Sequence, residues 1–144
     1  MARKDGPAYA DKHPAGTRID PQIRRKVQEQ DQKGRLSCRA AHQIARELSV
    51  TPLLVGLTLD LLDYKITRCQ LGLFGYQPDP SPVHPVSEVV PELATALQQA
   101  APDKRISCAD VWRVADSLKL PRMAAANACE TLGLKIRPCQ LGAF

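Results

Sequence analysis

The C-terminal ten residues of the chain repeat a segment from its middle. Residues 65–74 read KITRCQLGLF and residues 135–144 read KIRPCQLGAF, so a shift of 70 residues superposes them without a gap. The same shift aligns the Arg-x-Ser-Cys sequence at 35–38 with that at 105–108. An internal repeat means that one supersecondary unit occurs twice. The chain is therefore a tandem duplication, with copies at about 21–74 and 91–144.

The size of the repeat constrains how the two copies fold. Each copy has about 55 residues, near the lower limit at which a chain buries enough apolar surface to fold alone. We therefore expect the copies to support each other as one pseudo-dimer. The predicted domains are a flexible arm (1–18), repeat 1 (19–75), a proline-rich linker (76–88) and repeat 2 (89–144).

Helix start signals recur along each copy. Asp20-Pro21 combines an N-cap residue with proline at the first helical position, Ser37 is the N-cap of a second helix, and Pro52 suits the start of a third. A short strand is expected at 35–37, and alternation predicts a closing strand over 65–74. The predicted fold class is mainly α with small β, built from two α-β-α-α-β repeats.

The order helix, short strand, helix, turn, helix, strand resembles a tandem winged-helix protein, a relative of the helix-turn-helix. The close helix crossing of such units needs a small residue, a turn residue and a small or branched residue at fixed spacing. The residues at these positions are Ala45, Ser49 and Val55 in copy one and Ala115, Lys119 and Ala125 in copy two.

This resemblance implies a DNA-binding protein, and we expect a transcriptional regulator that binds double-stranded DNA. The net charge of +5 lies entirely in residues 1–76, which suits a polyanion. The third helix of copy two offers Arg122 and Asn127 to base edges. The predicted phosphate contacts in copy one are Arg24, Arg25, Lys26, Arg35 and Arg39. The alternative for this cluster is a solvated helix face.

The third helix of copy one has a different character. It is apolar nearly all round, which indicates burial, and its acids Asp60 and Asp63 would oppose phosphate. We therefore expect an interface between the copies or between chains. The predicted interface residues are Leu53, Leu54, Leu57 and Leu61. The rival function is a protein-interaction adaptor of the same fold, with a protein partner or a homodimer at this helix.

The repeated cysteines allow several interpretations. Cys38 and Cys108 follow helix N-caps, and Cys69 and Cys139 each lie 31 residues later. They predict a zinc or iron site, or a redox-responsive pair in each copy, as in a metal- or redox-responsive regulator. The alternative is plain packing, because free cysteine is a small buried hydrophobe and no Cys-x-x-Cys spacing occurs.

Other functional classes find little support in the sequence. No Gly-rich phosphate loop and no Gly-x-Ser-x-Gly motif occurs, so we do not expect an enzyme. The longest apolar run, around 53–62, is far shorter than the roughly 20 residues of a membrane span. With no apolar segment after Met1, we expect a cytoplasmic protein without a membrane partner.

Overall fold

A computed structural model describes residues 9–30 and 33–144. The chain is mainly helical with a few short strands, which confirms the predicted mainly-α class with small β. The first half contains a 3-10 helix (Tyr9–Lys12), α1 (Pro21–Glu29), β1 (Arg35–Ser37), α2 (Cys38–Leu48), α3 (Pro52–Leu61) and β2 (Lys65–Thr67). The second half contains α4 (Pro91–Gln99), β3 (Arg105–Ile106), α5 (Cys108–Ser117), α6 (Arg122–Leu132) and β4 (Lys135–Ile136).

The predicted order α-β-α-α-β is present in both halves. None of the described helices combines the length and the apolar character that crossing a membrane requires. The resemblance to winged-helix proteins, which goes beyond this order, stays a prediction.

Side-chain caps fix several of the helix starts. Asp20 accepts hydrogen bonds from the backbone N–H groups of Gln22 and Ile23, and Ser37 accepts one from Ala40. Ser107 caps α5 in the same way as Ser37 caps α2. These bonds satisfy donors that the first turn of a helix leaves free, and they confirm the predicted starts at Asp20-Pro21 and Ser37.

The two strands of each half pair with each other in parallel. Arg35 lies opposite Lys65 in β1 and β2, and Arg105 lies opposite Lys135 in β3 and β4. Parallel pairing follows from the connection, because the two intervening helices return the chain to the same end of the sheet. Each short strand thus pairs with the closing strand of its own copy.

The closing strands are shorter than predicted. A strand was expected over 65–74, but β2 ends at Thr67. The backbone then turns, with a φ of 49° at Arg68 and 81° at Gly72. Positive φ values are incompatible with an extended ladder, so most of the repeated Cys-Gln-Leu-Gly segment is a turn.

The chain divides into two compact units whose bounds differ from the predicted domains. Unit 1 contains the described residues up to Arg68 together with Leu141–Ala143, and unit 2 contains Cys69–Gln140 with Phe144. The Leu-Gly pair after each closing strand, Leu71-Gly72 and Leu141-Gly142, thus belongs to the unit built mainly by the other half. Residues 76–88 belong to unit 2, where Val86 N–H donates to the Thr131 hydroxyl at 2.8 Å.

Each unit buries its own set of apolar side chains. In unit 1 the fully buried large residues are Ile23, Val27, Ile44, Val55, Leu59 and Leu141. In unit 2 the buried cluster includes Leu71, Leu93, Leu97, Ile106, Val111, Ala125 and Cys129. Leu71 and Leu141 are repeat counterparts, and each is a core residue of its unit.

The predicted flexible arm contains ordered contacts. Its first eight residues lie outside the described part of the chain. The 3-10 helix Tyr9–Lys12 contacts α3, and Tyr9 N–H donates to the Asp63 carboxylate at 2.9 Å. Between Tyr9 and His13 the arm therefore packs on the rest of unit 1, because acids in and just after α3 supply partners that the sequence pattern did not reveal.

Candidate functional site

The predicted phosphate-binding cations of the first half lie on the surface of unit 1. Arg24, Arg25, Arg35 and Arg39 are exposed, and within the described residues none of them forms an ion pair. Lys26 is half-buried, with its Nζ 3.6 Å from the Glu47 carboxylate. Four of the five predicted cations are thus available to a ligand.

A second set of cations is brought together by the strand pairing. Arg35 and Lys65 are direct neighbours across β1 and β2, as are Arg105 and Lys135 across β3 and β4. We call each of these couples a cationic strand pair. Like charges directly opposite each other weaken a sheet, so each pair favours a nearby anion.

More cations flank the cationic strand pair of unit 2. The Arg137 N–H donates to the Ile106 carbonyl at 2.8 Å, and the Lys104 carbonyl accepts the Lys135 N–H at 2.8 Å. Alternation along an extended chain puts Lys135 and Arg137 on the same face. Sequence reasoning selected Arg35 but missed Lys65, Arg105, Lys135 and Arg137. These four cations lie in the repeated segments, and pairing the segments in register would have placed cations opposite each other in each copy.

The acids of unit 2 do not neutralise its cationic strand pair. Asp110 lies 3.0 Å from Arg113, and Asp116 lies 2.9 Å from Arg122. In the described portion of the chain, no carboxylate comes within ion-pair distance of Arg105. The positive charge at the strands is therefore open to solvent.

Arg122, a predicted base contact, already has partners within unit 2. Its Nε and Nη2 donate to the Asp116 carboxylate at 3.2 and 2.9 Å, and its guanidinium lies 3.8 Å from the Trp112 ring centroid. The hydrogen bond from Arg122 lowers the pKa of Asp116. Arg122 thus links α6 to α5. It could contact a base only after its contacts with Asp116 and Trp112 are broken.

Asn127, the other predicted base contact, is also engaged. Its side-chain oxygen accepts the His84 N–H at 3.0 Å, which anchors the proline-rich segment on α6. Base reading by Arg122 and Asn127 stays a prediction. Binding a base would cost the free energy of the contacts that these two side chains already make.

The acids in and just after α3 have partners in the arm. Asp60 is only 6% exposed, and its Oδ2 lies 3.1 Å from Lys12 Nζ and 2.8 Å from His13 Nε2. Asp63 accepts the Tyr9 N–H. The repulsion of phosphate expected from Asp60 is therefore reduced, because a neighbouring lysine compensates its charge.

The predicted interface leucines do not behave alike. Leu53 is 60% exposed, whereas Leu54, Leu57 and Leu61 are half-buried. Leu53, Leu54 and Leu57 line a pocket in unit 1, while Leu61 does not. The all-round apolar helix predicted to be buried thus has one open side near its start.

All five cysteines lie in the described residues, where they are buried and not disulfide-bonded. Cys38 belongs to unit 1, while Cys69, Cys108 and Cys139 belong to unit 2. Burial raises the pKa of Cys108, opposed by a hydrogen bond from the Gln140 amide to its sulfur at 3.4 Å, and the neighbouring Cys139 and Cys69 add to the rise. A raised pKa disfavours the thiolate that metal binding and redox exchange require.

The metal hypothesis finds no geometric support. Within residues 9–30 and 33–144, no group of three or more His, Cys, Asp or Glu side chains is placed to hold a metal ion. A zinc or iron site at Cys38, Cys69, Cys108 and Cys139 stays a prediction. Their burial favours the packing interpretation.

Comparison of the chain with protein-family models, with curated proteins and with solved structures gave no match. The residues of the chain therefore carry the evidence for its function.

Proposed function

We propose that this chain binds double-stranded DNA, as a regulator with two helix-turn-helix-like units, and that it holds the DNA mainly through phosphates. The observation that carries the proposal is the cationic strand pair in each unit. Arg35 faces Lys65 and Arg105 faces Lys135, without a carboxylate partner in the described residues. Phosphate contacts supply most of the sequence-independent affinity for DNA.

A phosphate would resolve the unfavourable electrostatics of these pairs. Two cations held side by side by backbone pairing repel each other. An anion between them accepts charge-assisted hydrogen bonds from both, and the planar guanidinium of Arg105 can donate two bonds to one phosphate. Lys135 adds a second, compact positive charge beside the phosphate.

Unit 1 adds further cations to its pair. Arg24 and Arg25 on α1 and Arg39 at the start of α2 are exposed and extend the positive surface of this unit. The excess of charge in residues 1–76 therefore favours unit 1 as the stronger phosphate contact. The predicted regulator would act in the cytoplasm.

The experiment is a fluorescence-anisotropy titration of the chain against mixed duplex fragments at about 50 and about 200 mM salt. Each phosphate contact contributes about −0.9 to the slope of log affinity against log salt. The double variant Arg105→Gln/Lys135→Gln removes two contacts. Its affinity loss over this fourfold range of salt should therefore be about tenfold smaller than that of the wild type.

A control variant with the same change of charge keeps the comparison specific. Arg113→Gln/Lys119→Gln removes two exposed cations from unit 2 outside the strands, and its salt dependence should stay close to wild type. Equal effects of the two double variants would refute the role of the strand pair. No binding at the lower salt would refute the function itself.

The rival adaptor function keeps one supporting observation, the 60% exposure of Leu53. A single exposed leucine is ordinary on protein surfaces, so this candidate ranks second. Sedimentation equilibrium tests its homodimer form. Self-association that resists salt and disappears in Leu53→Asp would favour the adaptor, because an apolar interface releases no counterions.

A further inference from the structure

Unit 1 contains a pocket that the DNA-binding proposal does not use. Its volume is about 360 Å³ and its walls come from the arm, the start of α3 and the C-terminal segment. The lining residues are His13, Thr51, Leu53, Leu54, Leu57, Asp60, Leu141 and Gly142. Pockets that bind small molecules typically span about 300 to 1,000 Å³, so this one suits a small ligand.

Its surface is almost entirely apolar, with one buried carboxylate. Asp60 is 94% buried, from its exposure of 6%, and its Oδ2 contacts Lys12 and His13. Both of these contacts are made by Oδ2 and neither by the other oxygen, Oδ1. Mostly apolar walls with a single well-placed polar group are typical of sites that orient a small molecule.

The charge around Asp60 is already balanced. Lys12 Nζ lies 3.1 Å from the carboxylate and also donates to the Gly142 carbonyl at 2.9 Å. A ligand cation would meet Lys12 at the same place, and a ligand anion would meet Asp60. Moving either charge out of water into leucine surroundings costs free energy that no free counter-charge offsets.

We propose that this pocket binds a small, uncharged, mostly apolar molecule that carries one hydrogen-bond donor, such as an alcohol or a phenol. The apolar part packs against Leu54, Leu57 and Leu141, and the donor bonds to Oδ1 of Asp60. The hydroxyl replaces the water that would otherwise solvate this oxygen. This site shares no residue with the cationic strand pairs, so its test does not depend on whether the chain binds DNA.

The test uses three probes that share one ring and chain length and differ in charge: phenylpropanol, phenylpropylamine and phenylpropanoate. Each is titrated into the full chain while amide NMR shifts are recorded. We expect saturable shifts with phenylpropanol at lining residues such as Leu57 and Gly142. The affinity for phenylpropanoate should be about tenfold lower, because its carboxylate would lose its hydration among the leucines without gaining a free counter-charge.

Two variants locate the site. Leu53 lies at the exposed rim, so Leu53→Ala should keep the fold and weaken phenylpropanol several-fold. The matched control is Val90→Ala, which removes an exposed apolar side chain in unit 2 and should change nothing. Asp60→Asn should reduce the discrimination against phenylpropanoate, because it leaves Lys12 without its carboxylate partner and so provides a free counter-charge.

Three results would overturn the proposal. One is the absence of saturable shifts with phenylpropanol at tens of millimolar. Another is equal affinity for the three probes, which would indicate unspecific apolar binding. The third is a shift pattern that Leu53→Ala and Val90→Ala change to the same extent, since the bound probe would then lie elsewhere.

Discussion

Replacing Gly56 with alanine tests the packing of the C-terminal segment in unit 1. Gly56 lies inside α3, where alanine is favoured over glycine by about 1 kcal/mol. Here a Cβ at position 56 would lie 1.8 Å from the carbonyl oxygen of Leu141 and 2.7 Å from its carbonyl carbon. Both atoms belong to the backbone, so no side-chain rotation relieves the clash and the segment must move.

The structure sets the size of the effect. Leu141 is 1% exposed, and moving a buried leucine into water costs about 1.5 to 3 kcal/mol. Losing the hydrogen bond from Lys12 to the Gly142 carbonyl adds about 0.5 to 1.5 kcal/mol. After the helix-propensity gain, we expect Gly56→Ala to lower the free energy of unfolding by about 1 to 3.5 kcal/mol.

Urea unfolding followed by circular dichroism measures this change, and a double-mutant cycle identifies its cause. Leu141→Ala should cost about 2 to 5 kcal/mol in the wild-type background and much less beside Gly56→Ala, because the segment is then already displaced. Leu53→Ala on the same helix is the control, expected within about 0.5 kcal/mol of wild type. A Gly56→Ala variant that is more stable than wild type would refute the close approach.

Two further predictions concern unit 2. Arg122→Ala should lower stability in thermal unfolding by about 1 to 2 kcal/mol through the lost contacts with Trp112 and Asp116. Because the pKa of Asp116 is lowered in the fold, the ion-pair part should be present above about pH 4 and disappear as the pH falls further. Burial raises the pKa of Cys129 to about 12, so its thiol should resist alkylation at about pH 8 until urea unfolds the chain. Stability should fall as the pH rises from about 9 towards 12, since the unfolded thiol ionises first, and Cys129→Ala should show a shallower fall.

Local features were predictable from the sequence because their causes are local. Asp20 and Ser37 cap helices through bonds to residues two or three positions away, and a sequence window contains both partners. The repeat also predicted that the same order of elements occurs twice, and both halves contain it. The early end of β2 was missed because nothing nearby marks Arg68 as a left-handed residue.

Features that depend on distant partners were not predictable. Arg122 looked available to a base, but Asp116 and Trp112 lie on another helix and only packing brings them together. The partners of Asp60, Lys12 and His13, lie in the arm, which the sequence predicted to be flexible. The one sequence difference that marks the close approach in unit 1 is Gly56, whose repeat counterpart is Ala126. The reason for a glycine at this position is the backbone of Leu141, which leaves no room for a Cβ.

The assignment of Leu141–Ala143 to unit 1 has a consequence for the order of events during translation. The ribosome delivers residues up to Arg68 early, yet the core of that unit lacks Leu141 until nearly all of the other half has been made. Until then the nascent first half lacks one of its core side chains. It differs in this from an N-terminal domain that folds independently, which reaches its final stability before the rest of the chain is made. Synthesis of the second half thus sets the time at which the first half is completed.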